Sequence, residues 1–185
     1  MSSFEKTGEE VAWEGKIATV RVDSFRHADD GEEVSREVVA HPGAVAIVAH
    51  DGEHVWLVRQ PREVVGEERL LELPAGKLEP TTGSAGGARD EPPLETAKRE
   101  LAEEIGKAAE QWESLGKLYT SPGFTDELVE VFFATELSDA SAESEENERI
   151  EIVEWPLDRL DEAIDDCHDG KSLAGLFWLR RRLRG

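Results

Sequence analysis

The sequence predicts an α/β protein in which a mixed sheet lies between helices. Three observations predict it. Short β-branched and apolar segments recur along most of the chain. Only three segments read as helices, one in the middle and two at the end. These helices are set among strands, which is the pattern of a sheet covered by helices. The 185 residues amount to about one domain, with no internal repeat.

The elements follow in order. Residues 11–40 read as short strands: Ile17-Ala-Thr-Val-Arg-Val-Asp23 alternates, His27-Ala-Asp-Asp-Gly-Glu-Glu33 is a turn, and Glu37-Val-Val-Ala40 resumes extended structure. Residues 44–49 and 55–58 are apolar and bracket Asp51-Gly52, as in a hairpin over a buried face. Leu70-Leu-Glu-Leu-Pro74 ends another strand. Residues 81–89 are small, polar and glycine-rich, and predict a mobile loop that could act as a lid. Pro92 and Pro93 suit a helix's first turn, and Gly106 suits its stop after Ile105. Strands are expected near 115–120 and 128–135, and an acidic surface loop over 138–149. A last strand runs over Ile150–Trp155, and two helices near 157–168 and 171–183 close the chain.

Composition narrows the function. The formal net charge is -21, which argues against nucleic acid and anionic membranes as partners. The basic Leu179-Arg-Arg-Arg-Leu-Arg184 is short and suits the negative end of a helix dipole. Forty-two acids against seven lysines also fit a salt-adapted host, whose protein would need added salt for full stability and activity. Cys167 is alone, so it has no internal disulfide partner. No apolar run nears the ~20 residues of a membrane helix. The first residues lack an apolar signal core, so a cytoplasmic protein is expected. The five histidines show no metal-ligand spacing, and the five tryptophans read as core or interface residues.

Glu95-Thr-Ala-Lys-Arg-Glu-Leu-Ala-Glu-Glu-Ile-Gly106 is the most informative stretch. On a helix Glu100, Glu103 and Glu104 share a face. Like charges so spaced destabilise by roughly 0.2–0.5 kcal/mol per pair. Arg99 offsets part of this by pairing with Glu95 or Glu103. One reading is a solvated acidic face. The other is a site for a hard divalent cation, since magnesium takes oxygen ligands from a few carboxylates and substrate phosphates.

Arg99-Glu-Leu-Ala-Glu-Glu-Ile-Gly106 resembles the core of the Nudix box. Glu91 precedes Arg99 by the expected seven intervening residues. Glu72-Leu-Pro-Ala-Gly76-Lys-Leu-Glu-Pro80 is similar to the family's entry into the box. Two departures stand out. Ala85 occupies the box's usual glycine position, with fourteen residues between Gly76 and Glu91 instead of five, which implies a nine-residue insertion. Lys107 stands where an apolar residue is usual. Loops accept such insertions at low entropic cost.

Ser121-Pro-Gly-Phe-Thr-Asp-Glu127 resembles the loop after the box in ADP-ribose pyrophosphatases, with Pro122 about fifteen residues beyond it. Val58-Arg-Gln-Pro-Arg62 and Arg36-Glu-Val-Val-Ala-His-Pro-Gly-Ala-Val45 resemble other strands of that subgroup.

The resemblance implies a Nudix-type α/β/α sandwich with a mixed central sheet and an N-terminal β extension. Residues 1–42 would be the extension, which serves dimerisation, and 43–185 the hydrolase domain. It implies metal-dependent hydrolysis of ADP-ribose to AMP and ribose 5-phosphate, with Mg2+, or Mn2+ as the alternative. The partners would be a nucleoside diphosphate sugar and a second copy in a homodimer. Glu100 and Glu104 would be metal ligands with the Ala75 carbonyl, and Glu103 a ligand or a water-mediated partner. Arg99 would orient the carboxylates. Glu127 would position or deprotonate the attacking water, with Glu103 as rival. Arg62 would contact the diphosphate or terminal ribose. Lys16 and Ile17 would meet the nucleotide, Glu37 would reach adenosine from the other subunit, and Gly123 and Phe124 would line the pocket. From the residues alone, Arg62 could instead pair with Glu63 or Glu67, and Phe124 could pack within its loop. Hydrolysis of another nucleoside diphosphate sugar, or an idle module that senses ADP-ribose, are the alternatives.

Overall fold

The computed structural model describes residues 3–15, 18–78, 92–141 and 149–185. The expected 81–89 loop lies outside them, as does most of the acidic 138–149 segment.

Strands β1 (Phe4–Glu14), β2 (Thr19–His27) and β3 (Glu33–Ala40) form an antiparallel sheet in that order. β1 starts well before residue 11. Its polar sequence hides it, and pairing with β2 from Phe4↔His27 to Glu14↔Thr19 makes it a strand.

The second sheet has seven strands: β4 (Ala44–His50), β5 (His54–Arg62), β6 (Glu67–Glu72), β7 (Ala75–Lys77), β8 (Lys107–Tyr119), β9 (Leu128–Asp139) and β10 (Glu151–Pro156). Its main path is β10-β5-β4-β9-β8, with β6 on β5 and β7 on β4. β4 and β5 make the predicted hairpin only at its base, through Ala49↔Trp56 and His50↔Val55. β4 then parts from β5 and pairs in parallel with β9, from Ala44↔Val129 to Ala49↔Ala134. β4 is buried from Ala44 to Ala49, as expected of a central strand covered on both faces.

Its side chains alternate between two cores. Val45, Ile47 and Ala49 pack with Ala97, Leu101 and Ile105 of helix α1 (Pro93–Ile105). Ala46 and Val48 pack with Ala163 of α2 (Leu160–Asp166) and Leu176 and Leu179 of α3 (Gly170–Leu183). The α/β/α sandwich is thus realised with a mixed sheet. The predicted helix over 157–168 is divided: Leu157–Arg159 is a 3-10 turn, and α2 ends at Asp166.

α1 has Pro93 in its first turn and ends at Gly106, whose φ of 65° is left-handed and whose N–H reaches Ala102 O and Leu101 O. β8 begins at once after this turn, much earlier than residue 115. No helix of the described residues is long and apolar enough to cross a membrane.

α3 lies close to the sheet because Gly175 has no side chain. A Cβ there would sit 2.5 Å from Leu73 Cδ1 and 3.0 Å from Val48 Cγ2. Gly175→Val is expected to cost about 1–3 kcal/mol by overpacking, read as a lower urea midpoint at unchanged slope.

Candidate active site

The apolar stripe of α1 fixes its outward face. With Ala97, Leu101 and Ile105 in the core, Glu100 and Glu103 are half-buried at its edge and Glu104 is buried. β7 runs beside this face. The Ala75 N–H donates to Glu104 Oε2 at 3.0 Å. A Cβ on Gly76 would lie 1.9 Å from Glu100 Cδ and 2.0 Å from its Oε1. The Glu100 carboxyl therefore lies directly on the Gly76 backbone. Arg99 bridges the other two: Nη2 is 2.9 Å from Glu100 Oε1, and Nη1 donates to Glu103 Oε2 at 2.7 Å. The carboxylates thus sit where a solvated acidic face would not need them, folded against backbone and offset by one guanidinium.

These side chains wall a cavity of about 920 Å3. Glu127 and His41 form another part of its wall. Thr120 Oγ1 donates to Glu127 Oε2 at 2.6 Å, and His41 Nδ1 lies 3.4 Å from Glu127 Oε1. The Glu127 N–H donates to Thr125 Oγ1, which itself donates to Val39 O. The loop after β8 is thereby tied to β3.

Arg62, Asp169 and Lys171 line a third part, joined behind it by Glu72. The Arg62 guanidinium donates through Nε to Glu72 Oε1 at 2.6 Å and through Nη2 to Oε2 at 2.9 Å. Lys171 Nζ donates to the same Glu72 Oε2 at 2.6 Å and to Asp169 Oδ2 at 2.9 Å. Glu72 is 1% exposed, whereas the Arg62 side chain paired to it is 42% exposed. Asp169 caps α3 by accepting from the Ser172 N–H and Oγ, and Ser172 Oγ in turn accepts from the Leu73 N–H. Burial pushes the Asp169 carboxyl up, but Lys171 and Ser172 outweigh it and hold it below the usual carboxylate range. Burial likewise pushes Lys171 down, and Asp169 and Glu72 reverse it to a net rise. Glu72 holds the Arg62 guanidinium above its ordinary value.

The family model of the NUDIX domain matches residues 39–174. The chain belongs to the Nudix family. Its Nudix relatives include an ADP-ribose pyrophosphatase of Bacillus subtilis (strain 168), 36% identical over 95% of this chain and 92% of the relative. The Mycobacterium tuberculosis (strain ATCC 25618 / H37Rv) ADP-ribose pyrophosphatase is 41% identical over 81% of this chain and 68% of its own. A solved ADP compounds hydrolase superposes with a TM-score of 0.82 at 25% identity, covering 100% of this chain and 96% of that one. The chain is thus a Nudix enzyme resembling ADP-ribose pyrophosphatases.

Of the residues singled out from sequence, Arg62, Ala75, Arg99, Glu100, Glu103, Glu104 and Glu127 line the one cavity. Glu37, Gly123 and Phe124 line a second cleft of about 500 Å3, between β1–β3 and the 121–126 turn. Neighbouring residues border the two clefts, Asp126 the second and Glu127 the first. Lys16 and Ile17 lie outside the described residues. Arg62 pairs with Glu72, not with Glu63 or Glu67. Sequence reading missed His41, Glu72, Asp169 and Lys171. A glutamate inside the apolar Leu70-Leu-Glu-Leu73 was a signal, because a buried carboxylate demands cations.

Gly76→Ala tests the contact with α1. The atom it would strike is the end of a flexible side chain, so stability should change little. The Glu100 carboxyl must move, and turnover should fall by about tenfold or more. Melting and steady-state rates on the same preparation measure both.

Proposed function

We propose that the chain hydrolyses the diphosphate bond of ADP-ribose to AMP and ribose 5-phosphate with a divalent cation, Mg2+ or Mn2+. The observation that carries this is the Glu100 and Glu104 pair laid against the backbone of Ala75–Gly76, in a cavity shared with Glu127 and Arg62. The names of the relatives supply the substrate.

The donors fit such a cation. They are carboxylate oxygens and a backbone carbonyl, the ligands that hard cations take. Among the described residues no three acidic side chains already converge as a ligand set. Glu100 and Glu103 are turned to Arg99, and Glu104 to the Ala75 N–H. In this reading Glu100, Glu104 and the Ala75 carbonyl hold the metal, with Glu103 as ligand or water-mediated partner. When bound, the metal neutralises charge on the diphosphate and lowers the pKa of water.

Glu127 takes the proton of the water that attacks phosphorus, with Glu103 as rival base. Its anchor Thr120, which donates to Oε2, fixes its carboxylate at the cavity wall. Arg99 keeps the α1 carboxylates grouped before substrate enters. Arg62 contacts the diphosphate or terminal ribose. The water–phosphorus bond forms as the bridging P–O bond breaks, releasing AMP and ribose 5-phosphate.

The same reading takes residues 1–42 as a dimerisation extension of a domain over 43–185, in a cytoplasmic homodimer. The exposed Phe4, Val11 and Trp13 of β1 support it, being apolar surface that a second copy would cover. Glu37, with Gly123 and Phe124 lining the same cleft, would then reach adenosine from the other subunit.

The test is AMP release from ADP-ribose, ADP-glucose, GDP-mannose, NADH and 8-oxo-dGTP, with magnesium, manganese or chelator. Metal-dependent AMP and ribose 5-phosphate from ADP-ribose, well above the rest, is the expected result. A different winner would replace the substrate and keep the carboxylate chemistry. Tight ADP-ribose binding without turnover under either metal would make the chain a sensor.

A further inference from the structure

Arg62 reaches the cavity from β5, and it shares the Glu72 carboxylate with Lys171, 109 positions later in the chain. Glu72 anchors the guanidinium through both oxygens, and Lys171 is bound to one of those oxygens. Lys171 is fixed in turn by Asp169, the residue that caps α3. Among the described residues Arg62 Nη1 has no protein acceptor, and Arg62 lines the cavity.

We propose that Lys171 is a positioning residue for substrate binding, balancing Glu72 and Asp169 so that the Arg62 guanidinium stays turned toward the diphosphate sugar. The charges make the argument. Arg62 and Lys171 offset Glu72 and Asp169 one for one. Without Lys171, Glu72 and Asp169 face Arg62 with no second cation between them, and Glu72, Glu104 and Asp169 all act on its charge. The guanidinium is then drawn back between Glu72 and Asp169, away from an anionic ligand. The contacts of Glu104 with the Ala75 N–H and of Glu100 with Arg99 do not involve Lys171. The loss should therefore appear in substrate affinity and not in metal activation.

This rests on the reading of the cavity as a nucleoside diphosphate sugar site. The experiment compares wild type, Lys171→Met, Lys171→Arg, Arg62→Met and the Arg62→Met/Lys171→Met double variant. Each is assayed on whichever member of the panel wild type cleaves fastest, with KM, kcat, half-activating magnesium and melting temperature recorded. Wild-type substrate preference judges the functional reading, and the ratios to wild type judge this inference. Lys171→Met should raise KM by about tenfold, as for loss of a charge-assisted contact, with kcat and half-activating magnesium nearly unchanged. Lys171→Arg should restore most of it. Adding Lys171→Met to Arg62→Met should raise KM no further, because both act through one group. An unchanged KM, a kcat loss that tracks the melting temperature, or additive effects in the double variant would each overturn the proposal.

Discussion

Glu100→Gln is expected to lower kcat by about 100-fold or more, the scale seen when one charge-stabilising group is removed from an active site. The substitution keeps the side chain's size, so the contact with Gly76 survives. It removes the charge that a cation requires and leaves Arg99 with Glu103 as its remaining carboxylate on that bridge. Glu100 is partly exposed at the helix edge, so melting should shift little. The measurement is AMP release at saturating magnesium, with a melting curve on the same sample. Intact turnover would remove α1 as the cation site and return its glutamates to a solvated acidic face.

Glu72→Ala should produce the largest loss of stability. Breaking a fully buried ion pair by removing one partner costs about 3–5 kcal/mol, and the loss here should fall at or below the low end, because the Arg62 side chain is 42% exposed and regains water. Here two cations lose their acceptor, and among the described residues Lys171 keeps only Asp169. Urea unfolding of the two proteins measures it. The same cluster sets a pH dependence. Asp169 is held below the unfolded carboxylate value, so its contribution is present above that value and lost as pH falls through the folded one. Lys171 is raised, so its contribution is present below the unfolded lysine value and lost as pH rises through the folded one. The cluster is thus at full strength between about pH 4 and 10, and acid titration of the urea midpoint should show the lower limit.

Helix α1 and its carboxylates were legible because their cause is local. Pro93 and Gly106 bound the helix, and the spacing of Glu100, Glu103 and Glu104 places them on one face. β4 was legible as a strand but not in its pairing, since a run of buried apolar residues does not name its neighbours. The early part of β8, Lys107 to Ser114, reads as polar and helix-compatible. Its extended form comes from β9 across it, from Lys107↔Asp139 onward. The Arg62–Glu72–Lys171 cluster is harder still. Glu72 and Lys171 are 99 positions apart, and no local pattern links them. Sequence could place Glu37, Gly123 and Phe124 near the nucleotide only by resemblance, and they border the second cleft.

The cavity draws on both ends of the folded domain, from His41 in front of β4 to Lys171 at the start of α3. Its central strand pairs with one 85 positions later, at Ala44↔Val129. Such distant contacts slow folding, because long loops must close before they are rewarded. During synthesis, a nascent chain stopped before residue 169 already carries the box helix but lacks α3, whose Leu176 and Leu179 complete the core on the other face of the sheet. Hydrolytic competence should therefore emerge only after the ribosome has released the last helix, and a chain truncated at Asp166 should never acquire it.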